Sequence, residues 1–151
     1  MIVQVAPPEH WIWLAERASL SVGPGFGAME AIEDMKGAEG PPRILGMVGF
    51  DGWTPATVSM HVALEAPIAL RGLLRQCFGM AFIQFDRRVV TVMVRSNNQR
   101  SKELVRHLGF REVFRGRNYW SKGVDMILFE MRRNECRFIG DNREREAREA
   151  A

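Results

Sequence analysis

The side chains best suited to holding a ligand follow a predicted strand in the second half of the chain. Residues 87–95 are rich in β-branched side chains, which favour strands. Ser96 and Asn98 come next, and both residue types cap helices. A helix predicted at 99–108 follows, with Gly109 placed to end it. Because ligand sites form where strands end and helices begin, the sequence predicts a hydrogen-bonding site here.

The elements that must position this site follow from hydrophobic periodicity and turn residues. They run in the order β-α-α-β-β-α-β-α-β-β, which predicts a single α/β (α+β) domain over 1–139. Its sheet is mixed and mostly antiparallel, with flanking helices, and a charged tail follows at 140–151. The predicted strands are 2–5, 44–50, 56–64, 87–95, 111–117 and 124–132, and the predicted helices are 8–20, 28–36, 67–85 and 99–108.

Composition excludes several classes of protein. The chain has 151 residues, of which 46% are hydrophobic and 26% charged, as in ordinary globular domains. It has no apolar run of about 18 residues that would span a membrane. The N-terminus lacks the pattern of a secretory signal, so we expect a cytoplasmic protein. Cys77 and Cys136 are too few and too far apart for a metal site, and we expect two reduced thiols.

Charge is unevenly distributed along the chain. Residues 1–66 hold three basic and eight acidic side chains, whereas residues 87–133 hold twelve basic and four acidic ones. This asymmetry favours a phosphorylated partner for the basic half and a cationic partner for the acidic half. The alternative is a compositional bias, because arginine outnumbers lysine by 18 to 3.

The stretch 89–110 carries a family resemblance. It reads V-V-T-V-M-V-R-S-N-N-Q-R-S-K-E-L-V-R-H-L-G-F. A strand, then Asn98 and Ser101, then a helix ending in Leu108-Gly109-Phe110 resembles the GNAT superfamily of acetyl-CoA-dependent N-acetyltransferases. The resemblance covers about residues 43–138. The residue pattern is most similar to the ribosomal-protein-acetylating branch and to small bacteriophage GNAT proteins. For a bacteriophage protein, the compartment would be the host cytoplasm.

The resemblance implies acetyl-CoA as cosubstrate, with no metal. The pantetheine arm would pair with a sheet edge, the pyrophosphate would lie at a helix N-terminus, and two side chains would bind beside the sulfur. One strand amide would stabilise the oxyanion. The residues so implied are Val62, Ala63 and Leu64 on the strand, Arg71, Gly72, Leu73 and Arg75 on the helix that starts near Pro67, and Asn98 and Ser101.

The sequence departs from the family pattern at three places. The region 66–73 echoes the family's phosphate loop only at Arg71-Gly72, which indicates weakened or altered cofactor binding. Val105 stands where many members carry a tyrosine that acts as general acid. Only two strands are predicted just before the helix that starts near Pro67, where the family usually has three.

Three residues are candidates for proton transfer in such a reaction. His61 and Glu65 are the candidate bases, and Tyr119 is a candidate acid or a wall of the acceptor site. Each also has a structural interpretation. His61 could be a structural histidine of a strand, Glu65 a solvated loop residue, and Tyr119 a packing aromatic beside Trp120.

We expect an enzyme that transfers an acetyl group to an amine by direct attack in a ternary complex. The acidic N-terminal half favours a lysine, a protein N-terminus or a small cationic amine as acceptor. The alternative is a catalytically weakened protein of the same fold that modulates a protein partner, such as a host enzyme. Nucleic-acid binding is disfavoured because no aromatic platform accompanies the arginines. A homodimer is compatible with the sequence.

Overall fold

The computed structural model describes residues 1–140, so the predicted tail at 140–151 lies outside them apart from Gly140. These residues form one seven-stranded sheet in the order β1-β2-β3-β4-β5-β7-β6. Only β4 and β5 run parallel. The elements are β1 (Ile2–Val5), α1 (Trp11–Ala18), β2 (Gly27–Ile32), β3 (Ile44–Asp51), β4 (Thr57–Leu64), α2 (Ile68–Gly79), β5 (Val89–Arg95), α3 (Gln99–Leu108), β6 (Arg111–Ser121) and β7 (Val124–Arg132).

The predicted fold class is confirmed, but the predicted type of one element is wrong. Residues 28–36 were expected to form a second helix, whereas Gly27–Ile32 is the strand β2, paired with both β1 and β3. Alanine, methionine and glutamate are good helix formers, yet this segment is buried on both faces. Tertiary burial overrides the local preference. The sequence predicts only two strands just before α2, and the structure adds β2 as a third.

β2 carries a charged residue, Glu30, whose burial requires hydrogen-bond partners. It is the one charged side chain among residues 1–140 that is fully buried. Gln4 donates a hydrogen bond of 2.9 Å to Oε1, and Nδ1 of His10 lies 2.8 Å from Oε2. Gln4 lies opposite Glu30 in the register of β1 and β2, and His10 directly precedes α1. The segment before α1 therefore supplies both hydrogen-bond partners of the buried carboxylate.

The two faces of the sheet are covered by different helices. α1 packs on one face through Leu14, in a cluster that includes Met47 and contacts Ala63. α2 and α3 both pack on the other face, where the larger core cluster lies. Side chains alternate along a strand, so His61 shares the α1 face with Ala63. Gly49 also belongs to the α1 face, where a Cβ would lie 2.7 Å from Leu14 Cδ2.

Both ends of α3 form as the sequence predicts. The Asn98 side chain accepts a hydrogen bond of 3.1 Å from the backbone N–H of Ser101. Gly109 ends the helix in the left-handed region at φ 107°, and the N–H of Phe110 bonds back to the Val105 carbonyl. The start of α3 is therefore fixed directly after the end of β5.

Candidate functional site

The feature that creates a site is a fork between the two parallel strands. β4 and β5 pair only through Thr57–Ser59 and Val89–Thr91. Beyond this point β4 pairs only with β3, and β5 only with β7. The hydroxyls of Ser59 and Thr91 lie 3.2 Å apart at the last paired position. Above this position, the edges of β4 and β5 that face each other have no strand partner among the seven strands of the described residues.

A cavity of about 230 Å³ occupies this fork, and we call it the fork cavity. Its walls come from the separated halves of β4 and β5, from α3 and from the end of α1. The sequence-predicted residues His61, Val62, Asn98 and Ser101 all line it. Val105, at the position where the family often has tyrosine, lines it as well.

His61 is held by a carboxylate that the sequence analysis did not identify. Nε2 of His61 lies 2.7 Å from Oδ1 of Asp51, the last residue of β3. His61 is opposite Gly49 in the register, so Asp51 is its diagonal neighbour on the α1 face. The carboxylate can only accept, so Nε2 carries the hydrogen and Nδ1 keeps the lone pair in a neutral ring. This pairing became visible only once the strand register was known.

Glu65 lies outside the fork cavity. Its carboxylate is 2.9 Å from Nη2 of Arg17 and 3.9 Å from Nε of Arg43. Arg17, which does line the fork cavity, also stacks on the Trp13 ring at 4.0 Å. The structure therefore places Glu65 as a partner of two arginines beside the cavity.

Tyr119 also lies away from the fork cavity. Its side chain is 68% exposed and packs against Phe114, with ring centroids 6.1 Å apart. The neighbouring Trp120 lines the fork cavity instead, and the guanidinium of Arg95 lies 4.8 Å from the centre of its ring. The tip of this hairpin is fixed by Asp125, whose pKa is lowered, first of all by the backbone N–H of Asn118.

A second cavity, of about 380 Å³, lies between the end of β4, the start of α2 and one side of α3, and we call it the outer cavity. Leu104 lines both cavities, so the two adjoin at α3. The outer cavity is also lined by Leu64 and Glu65 at the end of β4, and by Arg100 and His107 on α3. A long, narrow ligand could extend through both.

The start of α2 offers few backbone donors to an anion. Pro67 has no N–H, and the N–H groups of Ala69 and Leu70 bond to the carbonyls of Ala66 and Pro67. The N–H of Ala66 bonds to the Leu45 carbonyl. These bonds use the groups that a phosphate would otherwise take.

The predicted cofactor residues on α2 separate into two groups. Leu73 is fully buried in the core. Gly72 faces β1, where a Cβ would lie 3.1 Å from Val3 Cγ2. Neither of them points toward the fork. Arg71 and Arg75 are exposed on the same helix and remain available to a solvent-side anion.

Two further observations concern residues 1–140 only. No helix in this range is long and apolar enough to cross a membrane. The same range holds no group of three or more His, Cys, Asp or Glu side chains arranged for a metal ion.

Comparison with known proteins identifies this architecture through solved structures and not through sequence. Neither a protein-family profile nor a curated protein matches the sequence. Solved structures do match. A variant of spermidine N-acetyltransferase SpeG from Vibrio cholerae superposes with a TM-score of 0.70 over 94% of this chain and 99% of that one, at 10% identity. The chain has the fold of the GNAT acetyltransferases. A GNAT-family protein from Desulfovibrio desulfuricans matches the fold with a TM-score of 0.60 over 82% of this chain and 74% of its own, at 16% identity.

Proposed function

We propose that this protein is an N-acetyltransferase that moves an acetyl group from acetyl-CoA to an amine. The observation that carries the proposal is the fork between β4 and β5. Unpaired strand edges can bond the amides of a pantetheine arm as a further strand would. The fork cavity and the outer cavity adjoin at Leu104 of α3, so an extended ligand bound in the fork would reach toward the outer cavity.

In the proposed complex, the arm lies along Val62, Ala63 and Leu64. Asn98 and Ser101 lie beside the thioester end. The Asn98 carbonyl oxygen already caps α3, so its amide N–H₂ is the group left to donate to the ligand. The pyrophosphate would meet Arg71, Arg75 and Arg100, because the start of α2 has few backbone donors. This arrangement predicts weaker cofactor binding than a fully formed phosphate loop would give.

His61 is the proposed general base. Nδ1 takes a proton from the ammonium form of the acceptor, and the amine nitrogen then attacks the thioester carbonyl carbon. A backbone N–H of Val62 or Ala63 stabilises the oxyanion as it forms. When the tetrahedral intermediate collapses, the C–S bond breaks and the amide forms. The CoA thiolate takes up the remaining proton. Asp51 keeps the His61 ring in the required tautomer and orientation.

A second candidate function rests on the start of α2. Because its backbone N–H groups are used within the loop, a protein of this fold with weak cofactor binding could serve a protein partner instead. Retained CoA binding with no transfer to any amine would favour this second function. The narrower resemblance to the ribosomal-protein branch and to phage proteins, the cytoplasmic location and a homodimer stay predictions. The Vibrio spermidine N-acetyltransferase has a dodecameric structure.

Calorimetry with CoA and acetyl-CoA tests the proposed cofactor site. Ser101 lines the fork cavity on the first turn of α3, whereas Lys102, the next residue, does not line either cavity. We expect Ser101→Phe to weaken CoA binding at least tenfold, because the ring occupies the path of the arm. Lys102→Phe should bind CoA like the unmodified chain. Absence of binding at millimolar CoA would overturn the proposal.

A further inference from the structure

The charges that line the fork cavity are basic. Among residues 1–140, the charged or titratable side chains that line it are Arg17, His61 and Arg95, and no aspartate or glutamate of this range lines it. Two of these three have acidic partners, since Arg17 pairs with Glu65 and His61 with Asp51. Arg95 has no carboxylate within salt-bridge distance among residues 1–140. Of these three cations, Arg95 is therefore the one whose charge no acidic side chain of this range offsets at short distance.

Most acidic residues of the N-terminal half lie away from the fork cavity, and none of them lines it. Glu30 is buried and paired with His10, and Glu65 lies between Arg17 and Arg43. Glu33 and Glu39 are exposed around the end of β2 and the loop that follows it. Asp51 is the exception in position, because it contacts His61, but its carboxylate is already paired there. The sequence-based expectation of a cationic acceptor depended on the acidic residues of this half, and none of them lines the fork cavity.

The environment of Arg95 combines charge with apolar surface. Its guanidinium stacks on Trp120, which is 47% exposed, and Met93 on the same face of β5 is 47% exposed too. Met126 lies opposite Arg95 in the strand register and also lines the cavity. A planar cation held against an aromatic ring keeps its N–H groups free for a carboxylate.

We infer that the acceptor is an amine that also carries a carboxylate and an apolar group, the chemistry of an apolar amino acid. Arg95 binds the carboxylate, and His61 takes the ammonium proton. Trp120, Met93 and Met126 contact the apolar part. A polyamine would place its extra positive charges beside Arg17 and Arg95, where none of the described carboxylates lines the cavity to receive them. This inference rests on the proposed acetyl transfer and names its acceptor class.

The test compares acceptors that differ only in the carboxylate. L-phenylalanine is paired with L-phenylalaninamide, and glycyl-L-phenylalanine with its amide, so that two spacings between amine and carboxylate are covered. Spermidine represents the cationic class. Calorimetry measures acceptor binding to the CoA-saturated chain, and thiol release measures acetyl transfer. We expect at least one free acid to bind about tenfold to a hundredfold tighter than its amide, the effect of a charge-assisted hydrogen bond.

Variants separate this inference from the proposed function. Arg95→Gln should remove the preference for the acid, Arg95→Lys should restore part of it, and both should bind CoA normally. Arg117→Gln, a matched arginine exposed on β6, should keep the preference. Equal or tighter binding of the amides or of spermidine, with CoA binding intact, would overturn the acceptor class alone. Absence of CoA binding would overturn both proposals.

Discussion

The two sides of the fork are built differently. On the α1 face, polar side chains are held in place by other side chains: His61 by Asp51, Arg17 by Glu65, and Arg95 by Trp120. On the α3 side, the cavity wall is apolar through Leu104, Val105 and Leu108, with Asn98 and Ser101 at one end.

This difference separates two tasks. An apolar wall with unpaired strand edges binds an extended arm by shape and by backbone hydrogen bonds, and tolerates many side chains. Proton transfer instead needs one group at one position with its orientation fixed. Substitutions on the α1 face should therefore alter turnover with little effect on CoA. Those on the α3 side should alter CoA affinity or stability.

The largest effect should come from His61→Ala. Removing the proposed base should lower kcat by about 10²-fold to 10⁴-fold, the usual contribution of general base catalysis. CoA affinity measured by calorimetry should stay within a fewfold of the unmodified chain. Unchanged kcat at neutral pH would remove His61 from the mechanism and would make the α1 face a binding surface only.

Asp51→Asn should have the next largest effect. Asp51 acts through His61, so we expect kcat to fall by tenfold or more, on the order of the loss of one charge-assisted hydrogen bond, while KM for the acceptor changes little. Nitrogen-15 NMR of the imidazole should show the Nε2–H tautomer in the unmodified chain. Asp51→Glu should restore part of kcat. A raised KM with unchanged kcat would instead indicate a role in acceptor binding.

Asn98 tests the α3 side. Asn98→Ala removes the cap of α3 and should lower the free energy of unfolding by about 1 kcal/mol, measured by urea denaturation. Asn98→Ser keeps a capping oxygen and should retain most of this stability. Since it lacks the amide N–H₂ group, it should still bind CoA more weakly. Equal CoA affinity in Asn98→Ser would limit Asn98 to capping.

Glu65→Gln should have the smallest effect. Glu65 lies outside the fork cavity, and His61 is the proposed base, so kcat should change less than about twofold. Removing a general base would instead lower kcat by about 10²-fold or more. CoA affinity should rise a fewfold, because a carboxylate beside the outer cavity repels the phosphates. A loss of kcat comparable with that of His61→Ala would make Glu65 the base.

Much of this fold was predictable from local patterns. The strand at 87–95 and the caps of α3 follow from side-chain types that act locally, so their positions were predicted within a few residues. β2 was not, because its residues favour a helix and only burial between β1 and β3 makes them a strand. Asp51 was missed for a similar reason. Its approach to His61 depends on the pairing register of β3 and β4, which no local pattern fixes.

Hydrogen exchange of the amides with and without CoA tests the central claim most directly. If the arm lies in the fork, CoA should slow exchange along the separated halves of the two strands, 60–64 and 92–95, and at the start of α3. The paired segment Thr57–Ser59 is already bonded to β5 and should change least. Saturating CoA that leaves 60–64 unchanged, or protects only the β6–β7 hairpin, would contradict the account.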